Sequence, residues 1–180
     1  MPPERKVSRM KSIEYAMSLG FAEAVEFSAD LLIPYERIRA LCTPDKCPNY
    51  GVSWHCTPYC GTLEALGNNL RNYSRAWLLT SRYAMPCGVT PQETQRLSMV
   101  HTDRVMKFAS DDPDALLLTV GGCHRCEKCT CPDAPCRFPL PHVGSVSAHG
   151  IDVTELCRKL NIPFAFEPGK VVFVGLMLEK

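Results

Sequence analysis

The sequence is short of most features that would place a chain at first sight. Net charge is nearly absent: 20 Lys and Arg stand against 19 Asp and Glu in 180 residues. A balance of +1 gives no long-range pull on nucleic acid or on a membrane surface, so neither is expected as a partner. Long hydrophobic runs are missing as well. Spanning a bilayer takes roughly 18 apolar residues in a row, and the longest stretches here, Ala115 to Val120 and Val171 to Leu178, have the length of strands. The start, Met1-Pro2-Pro3-Glu4-Arg5-Lys6, is polar and no apolar secretory segment follows, which predicts a cytoplasmic location. There is no G-x-G-x-x-G, no P-loop and no G-x-S-x-G, and neither half of the H-x-E and P-C-x-x-C pattern of zinc deaminases. Low-complexity segments and convincing repeats are lacking too. Nucleotide binding and serine hydrolysis therefore have no support.

Cysteine is what the chain has in excess, at eleven residues. Five lie between Cys123 and Cys136 and four between Cys42 and Cys60, leaving Cys87 and Cys157 apart. Disulfide scaffolds belong to small secreted chains with even counts. An odd count with no secretory segment points instead to reduced thiols acting as metal ligands or catalytic groups.

Periodicity sketches the frame around them. Apolar residues recur at helical spacing from Val7 to Leu19, and Gly20 is placed as a C-terminal cap. Ala24 to Phe27 reads as a strand, and a short element at Ile38 to Leu41 leads into Cys42. From Cys42 to Gly61 the chain has three prolines, two glycines, four cysteines and little periodicity, the composition of a loop held by something other than a core. A helix from Thr62 to about Tyr73 and a strand from Ala76 to Ser81 follow. Thr90-Pro91-Gln92-Glu93 is a capping box with proline at the first helical position, opening a helix that runs through Phe108 to the stop at Asp111-Asp112-Pro113. Ala115 to Val120 is a buried strand, Asp152 to about Leu160 a short helix, and Lys170 to Leu178 a closing strand. The class is α/β or α+β: a single small metal-binding domain over residues 1–180, with one sheet, helices, and cysteine loops at 42–60 and 123–136.

Within the second loop, Cys123-x2-Cys126-x2-Cys129 directs three sulfurs toward one point, as in the cysteine runs that wrap cuboidal iron–sulfur clusters. Cys131-Pro132 and Cys136 follow, so five thiols are present where four are needed, and spacing does not choose among Cys129, Cys131 and Cys136. Gly121-Gly122 suits close approach of backbone amides to a cluster. Zinc is the alternative, although its closed tetrahedral sites pair two C-x2-C units across a longer spacer. The first loop, Cys42-x4-Cys47-x8-Cys56-x3-Cys60, also offers four ligands to iron–sulfur or zinc. His55 reads as a hydrogen-bond donor to sulfur or a further ligand there, and Trp54 as packing or cofactor shielding. Cys157 reads as a buried inert thiol, Cys87 as a free thiol in a turn, and His101, His142 and His149 as structural or surface residues.

A family resemblance rests on these same residues. Cys42, Cys47-Pro48-Asn49-Tyr50-Gly51 and Trp54-His55-Cys56-Thr57-Pro58-Tyr59, followed by Gly122 to Cys129, Cys131, Pro135-Cys136-Arg137-Phe138-Pro139 and Ala148-His149-Gly150-Ile151-Asp152-Val153, resemble the domain-of-unknown-function 2284 family of predicted metal-binding proteins. The likeness runs from about Cys42 to Phe164. It departs from the family at Thr57, where a proline is usual, and at Cys60, which is not a general feature. The resemblance implies metal binding, with iron–sulfur the expected chemistry, and names no reaction.

The expected function is therefore that of a protein holding one or two [4Fe–4S] clusters, exchanging electrons with a redox partner protein. A structural zinc module is one alternative. An enzyme with an open iron at the first loop, should Cys60 not ligate, is the other.

Overall fold

The computed structural model describes residues 11–140, 142–165 and 167–180. Among them is one five-stranded sheet of order β1-β2-β5-β3-β4. Its strands are β1 (Glu23–Ser28), β2 (Arg75–Ala84), β3 (Leu116–Thr119), β4 (His142–Ser145) and β5 (Lys170–Glu179). The helices are α1 (Ile13–Ser18), α2 (Glu36–Arg39), α3 (Leu63–Leu70), α4 (Pro91–Phe108) and α5 (Val153–Lys159). Among the described residues, no helix is long and apolar enough to cross a membrane.

Helix starts follow the sequence chemistry. Ser12, Thr62, Thr90 and Asp152 each accept a hydrogen bond from the backbone N–H three residues on, satisfying a donor that the first turn leaves unpaired. The cap at Ser12 sets the start of α1 at Ile13, later than the expected Val7, and Val7 to Met10 lie outside the described residues. The polar start Met1 to Lys6 lies outside them as well. Leu19 caps α1 and Gly20 follows at φ +89°, as the pattern predicts.

The core is two-sided because the strands alternate. Ala76, Leu78, Leu116, Leu118, Leu176 and Leu178 face one side, against Leu156 and Cys157 of α5 and Leu70 of α3. Trp77, Leu79, Leu117 and Met177 face the other, against Val105 and Phe108 of α4 and Ala16 of α1. A side-chain period of two delivers this, and burial on both faces explains why these strands read as near-continuous apolar runs.

One strand escapes the sequence reading. β4 lies parallel to β3, with Leu116 opposite His142 and Thr119 opposite Ser145, and every other neighbouring pair is antiparallel. Parallel neighbours need a crossover of a dozen or more residues, usually helical. Here the crossover is the second cysteine loop, and none of residues 121–140 is fully buried. The first cysteine loop joins α2 to α3 and hangs beside the end of β4. The backbone N–H of Tyr35 donates to the Gly150 carbonyl at 2.8 Å. Arg37 bridges to Asp152 at 2.6 Å and to Glu155 at 3.4 Å.

Candidate metal centre

Both cysteine loops meet past the carboxyl ends of the parallel pair β3–β4, the end of a sheet where ligands commonly bind. All eleven cysteines are free thiols. No three Cys, His, Asp or Glu side chains among the described residues close on one point as a single ion would require. Most of the loop thiols line two small cavities instead.

The first cavity, of about 110 Å³, is lined by Cys42, Cys47 and Cys56 with Asn49 and Thr57 of the same loop. Its far wall comes from elsewhere: Val120-Gly121-Gly122 after β3, and Ser145, Ser147 and Ala148 at the end of β4. Gly121 and Gly122 have φ of +81° and +78°, and a Cβ on Gly122 would sit 3.2 Å from the Asn49 side chain. Side chains there would strain the backbone and intrude on the wall. The glycine pair expected to serve the second cluster thus lines the first cavity. Cys60 is outside the lining, with its sulfur 3.4 Å from Nη1 of Arg39, which also donates to the Ala148 carbonyl. Through Nη2, Arg39 reaches the Gly61 carbonyl at 2.7 Å.

The second cavity is lined by Cys123, Cys126, Cys129 and Cys136, together with Thr130, Arg125 and Phe138. Cys131 is not in its lining. The loop keeps its shape through side chains that donate to carbonyls. Thr130 reaches Pro135 at 2.9 Å, Arg137 reaches Lys128 at 2.9 Å, and Arg125 reaches Phe138 at 2.9 Å and Leu140 at 3.2 Å. His124 is turned away, 3.0 Å from Asp103 on α4.

His55 is the residue whose position the sequence does not foretell. Adjacent to Cys56 of the first ring, it lines the second cavity. It is 4% exposed, and its Nδ1 has no hydrogen-bond partner. Its ring meets that of His142 edge-on at 5.5 Å. Burial, then His142, Arg125 and His149, hold it down to about 4, so it is neutral. Trp54, next to it, packs against Tyr59 and donates through Nε1 to the Ala134 carbonyl at 3.1 Å, tying one loop to the other. Arg39, Ser145 and Ser147 carry no motif that would have singled them out, and Asn49 and Arg125 enter only as members of the family-like motifs.

Cys42, Cys56 and Cys123 are ill-suited to be free nucleophiles. Burial pushes Cys56 up to about 11, with Cys47, Cys60 and Cys42 adding to the rise. Cys42 is raised by burial and then by Cys47, and Cys123 chiefly by burial. Reactive cysteines need the reverse, a depressed pKa. Cys42 and Cys56, each raised in part by neighbouring thiols, are suited to a cation that offsets their charge. Four thiols around the second cavity, and three with a fourth alongside at the first, have the donor chemistry of sulfur-ligated metal groups and are set wider than a single ion takes. Cys157 lies in the sheet core, pushed up to about 11 by burial, and Cys87 is exposed in a turn. His101 and His149 are buried.

A family model described as a predicted metal-binding protein (DUF2284) matches residues 26–178. No curated protein and no solved structure matches the chain.

Proposed function

Since the chain belongs to the DUF2284 family of predicted metal-binding proteins, we propose that its two thiol rings hold [4Fe–4S] clusters and that it passes electrons to or from a partner protein. Cys42, Cys47, Cys56 and Cys60 hold one, and Cys123, Cys126, Cys129 and Cys136 the other. Such a group, when bound, supplies reversible one-electron chemistry.

The observation that carries the reading is a shared wall. Cys56 faces the first cavity and its neighbour His55 the second. Gly122 faces the first and its neighbour Cys123 the second. Consecutive Cα atoms are about 3.8 Å apart, so at two points neighbouring residues of one backbone line the two cavities on either side. Two redox centres so placed make one short electron path, whereas a structural site has no use for the proximity. On the outer side, Phe138 and Leu140 are 43% and 57% exposed beside the second ring, an apolar edge suited to a transient redox partner.

The test is iron, sulfide and zinc content with an absorbance spectrum, on protein purified without oxygen. About eight irons with matching sulfide is the expected result. Stoichiometric zinc without visible absorbance, persisting through anaerobic reconstitution, would overturn it in favour of a structural module.

A second reading has one observation behind it, the contact of Cys60 with Arg39 outside the first cavity. If Cys60 stays there, three thiols hold the first centre and a position is left facing Asn49, Ser145 and Ser147. That site would bind a small molecule and the protein would be an enzyme.

A further inference from the structure

We infer that His55, carried on the first cysteine loop, donates a hydrogen bond to a metal-bound sulfur of the second site and so tunes a centre its own loop does not hold. The inference rests on the iron–sulfur reading above.

Three polar side chains other than thiols line the second cavity: His55, Arg125 and Thr130. Two are committed to the loop itself. Arg125 donates to the Phe138 and Leu140 carbonyls, and Thr130 to the Pro135 carbonyl. His55 alone brings a buried nitrogen without a partner. Buried polar atoms are rarely left unpaired, and an orphan at a ligand cavity marks a partner yet to be bound. A sulfur of the bound centre is the partner at hand. The ring is not required as a ligand, because four thiolates already complete the coordination of a cuboidal cluster. An imidazole has at least one N–H to give in either protonation state. The His142 ring set edge-on against it, and Trp54 fastened to Ala134, hold this part of the first loop against the second.

The role is one of positioning and tuning. An N–H aimed at sulfur favours the more negative, reduced state and raises the potential. It also makes the second centre depend on the folding of the first loop.

The test uses the full chain, reconstituted anaerobically with iron and sulfide. Potentials are read by redox titration of the EPR signal, with iron counted in each sample. His55→Ala and His55→Gln are compared in a Cys47→Ser background, where the second ring is the intact one, and in a Cys129→Ser background, where the first is. In the Cys47→Ser background, His55→Ala is expected to retain its iron with a potential shifted negative. His55→Gln, whose side-chain amide still donates, is expected to recover most of the shift. An unchanged potential at full iron loading would overturn the inference. So would a shift confined to the Cys129→Ser background, which would assign His55 to its own loop. Loss of iron from the second site in His55→Ala would replace the donor with a ligand or a structural prop. A wild-type chain that takes up no iron would sink the iron–sulfur reading, and the inference with it, before any variant is compared.

Discussion

Cys131 gives the second loop one thiol more than its cavity uses. Cysteine spacing cannot decide which thiol is spare, since Cys129, Cys131 and Cys136 all lie within reach along the chain. The choice is made by bonds with no sequence signature: Thr130 to the Pro135 carbonyl and Arg137 to the Lys128 carbonyl fold the segment so that Cys129 and Cys136 face inward together. Cys131→Ala is therefore expected to keep the full iron content and visible absorbance after reconstitution. Cys136→Ala is expected to lose about four irons, one cubane's worth. Equal losses from both would mean that the loop rearranges around the metal. Cys60→Ala asks the matching question of the first ring. Loss of its iron makes Cys60 the fourth ligand, and retention of iron and spectrum favours the open position facing Ser145 and Ser147.

At the scale of elements, α4 and β5 set a titration that stands apart from the metal. His101 of α4 is fully buried, 2.9 Å from the Ser81 hydroxyl and stacked on Phe173 of β5. Burial, followed by the Arg104 charge, depresses it to about 3. As pH falls below the ordinary value near 6.5, the unfolded chain takes up a proton that the folded chain refuses until about 3. Stability therefore falls with acidification across that window and levels off below it. From pH 7 to pH 5 the loss from His101 is ~2 kcal/mol. Urea denaturation at the two pH values should show a smaller drop in His101→Gln than in the wild type, and equal drops would contradict the burial argument. The elements carrying this site were readable in advance. Thr90-Pro91 starts α4, and the apolar runs Ala76 to Ser81 and Lys170 to Leu178 read as the strands that became β2 and β5. β4 was not, because its four residues follow a proline-rich stretch, include Gly144, and gain their place only by pairing with a strand across the whole second loop. The glycine pair was legible as a close-approach signal but not in its destination, which depends on that same parallel pairing.

For the whole molecule, the question is what metal does for folding. The hydrophobic core is assembled from strands and helices, and residues 121–140 contribute no fully buried side chain to it. The first loop buries only Ser53, His55, Cys56 and Thr57, none of which joins the sheet's apolar clusters. Ordering a loop backbone costs about 1–2 kcal/mol per residue, and here almost no apolar burial offsets it. On the proposed reading, metal–sulfur bonds supply the difference together with the loops' own hydrogen bonds, which ties loop order to metal while leaving the sheet its own core. Chelation under anaerobic conditions is thus expected to leave the far-UV circular dichroism of the sheet and of α4 largely intact. Hydrogen exchange and protease cleavage should rise sharply, confined to residues 42–61 and 121–140. The shared wall adds a finer expectation. Removing metal from the first ring by Cys47→Ser should raise exchange in the second loop too, because Trp54 and His55 cross between them and Gly122 closes the first cavity from the second loop. A cooperative collapse of the whole dichroism spectrum on chelation would instead make the metal a fold-holding element, as in small zinc domains. Under the electron-transfer proposal the arrangement is the opposite: a sheet with its own two-sided core outlasts the cofactor, and both thiol-lined cavities sit at one end of it.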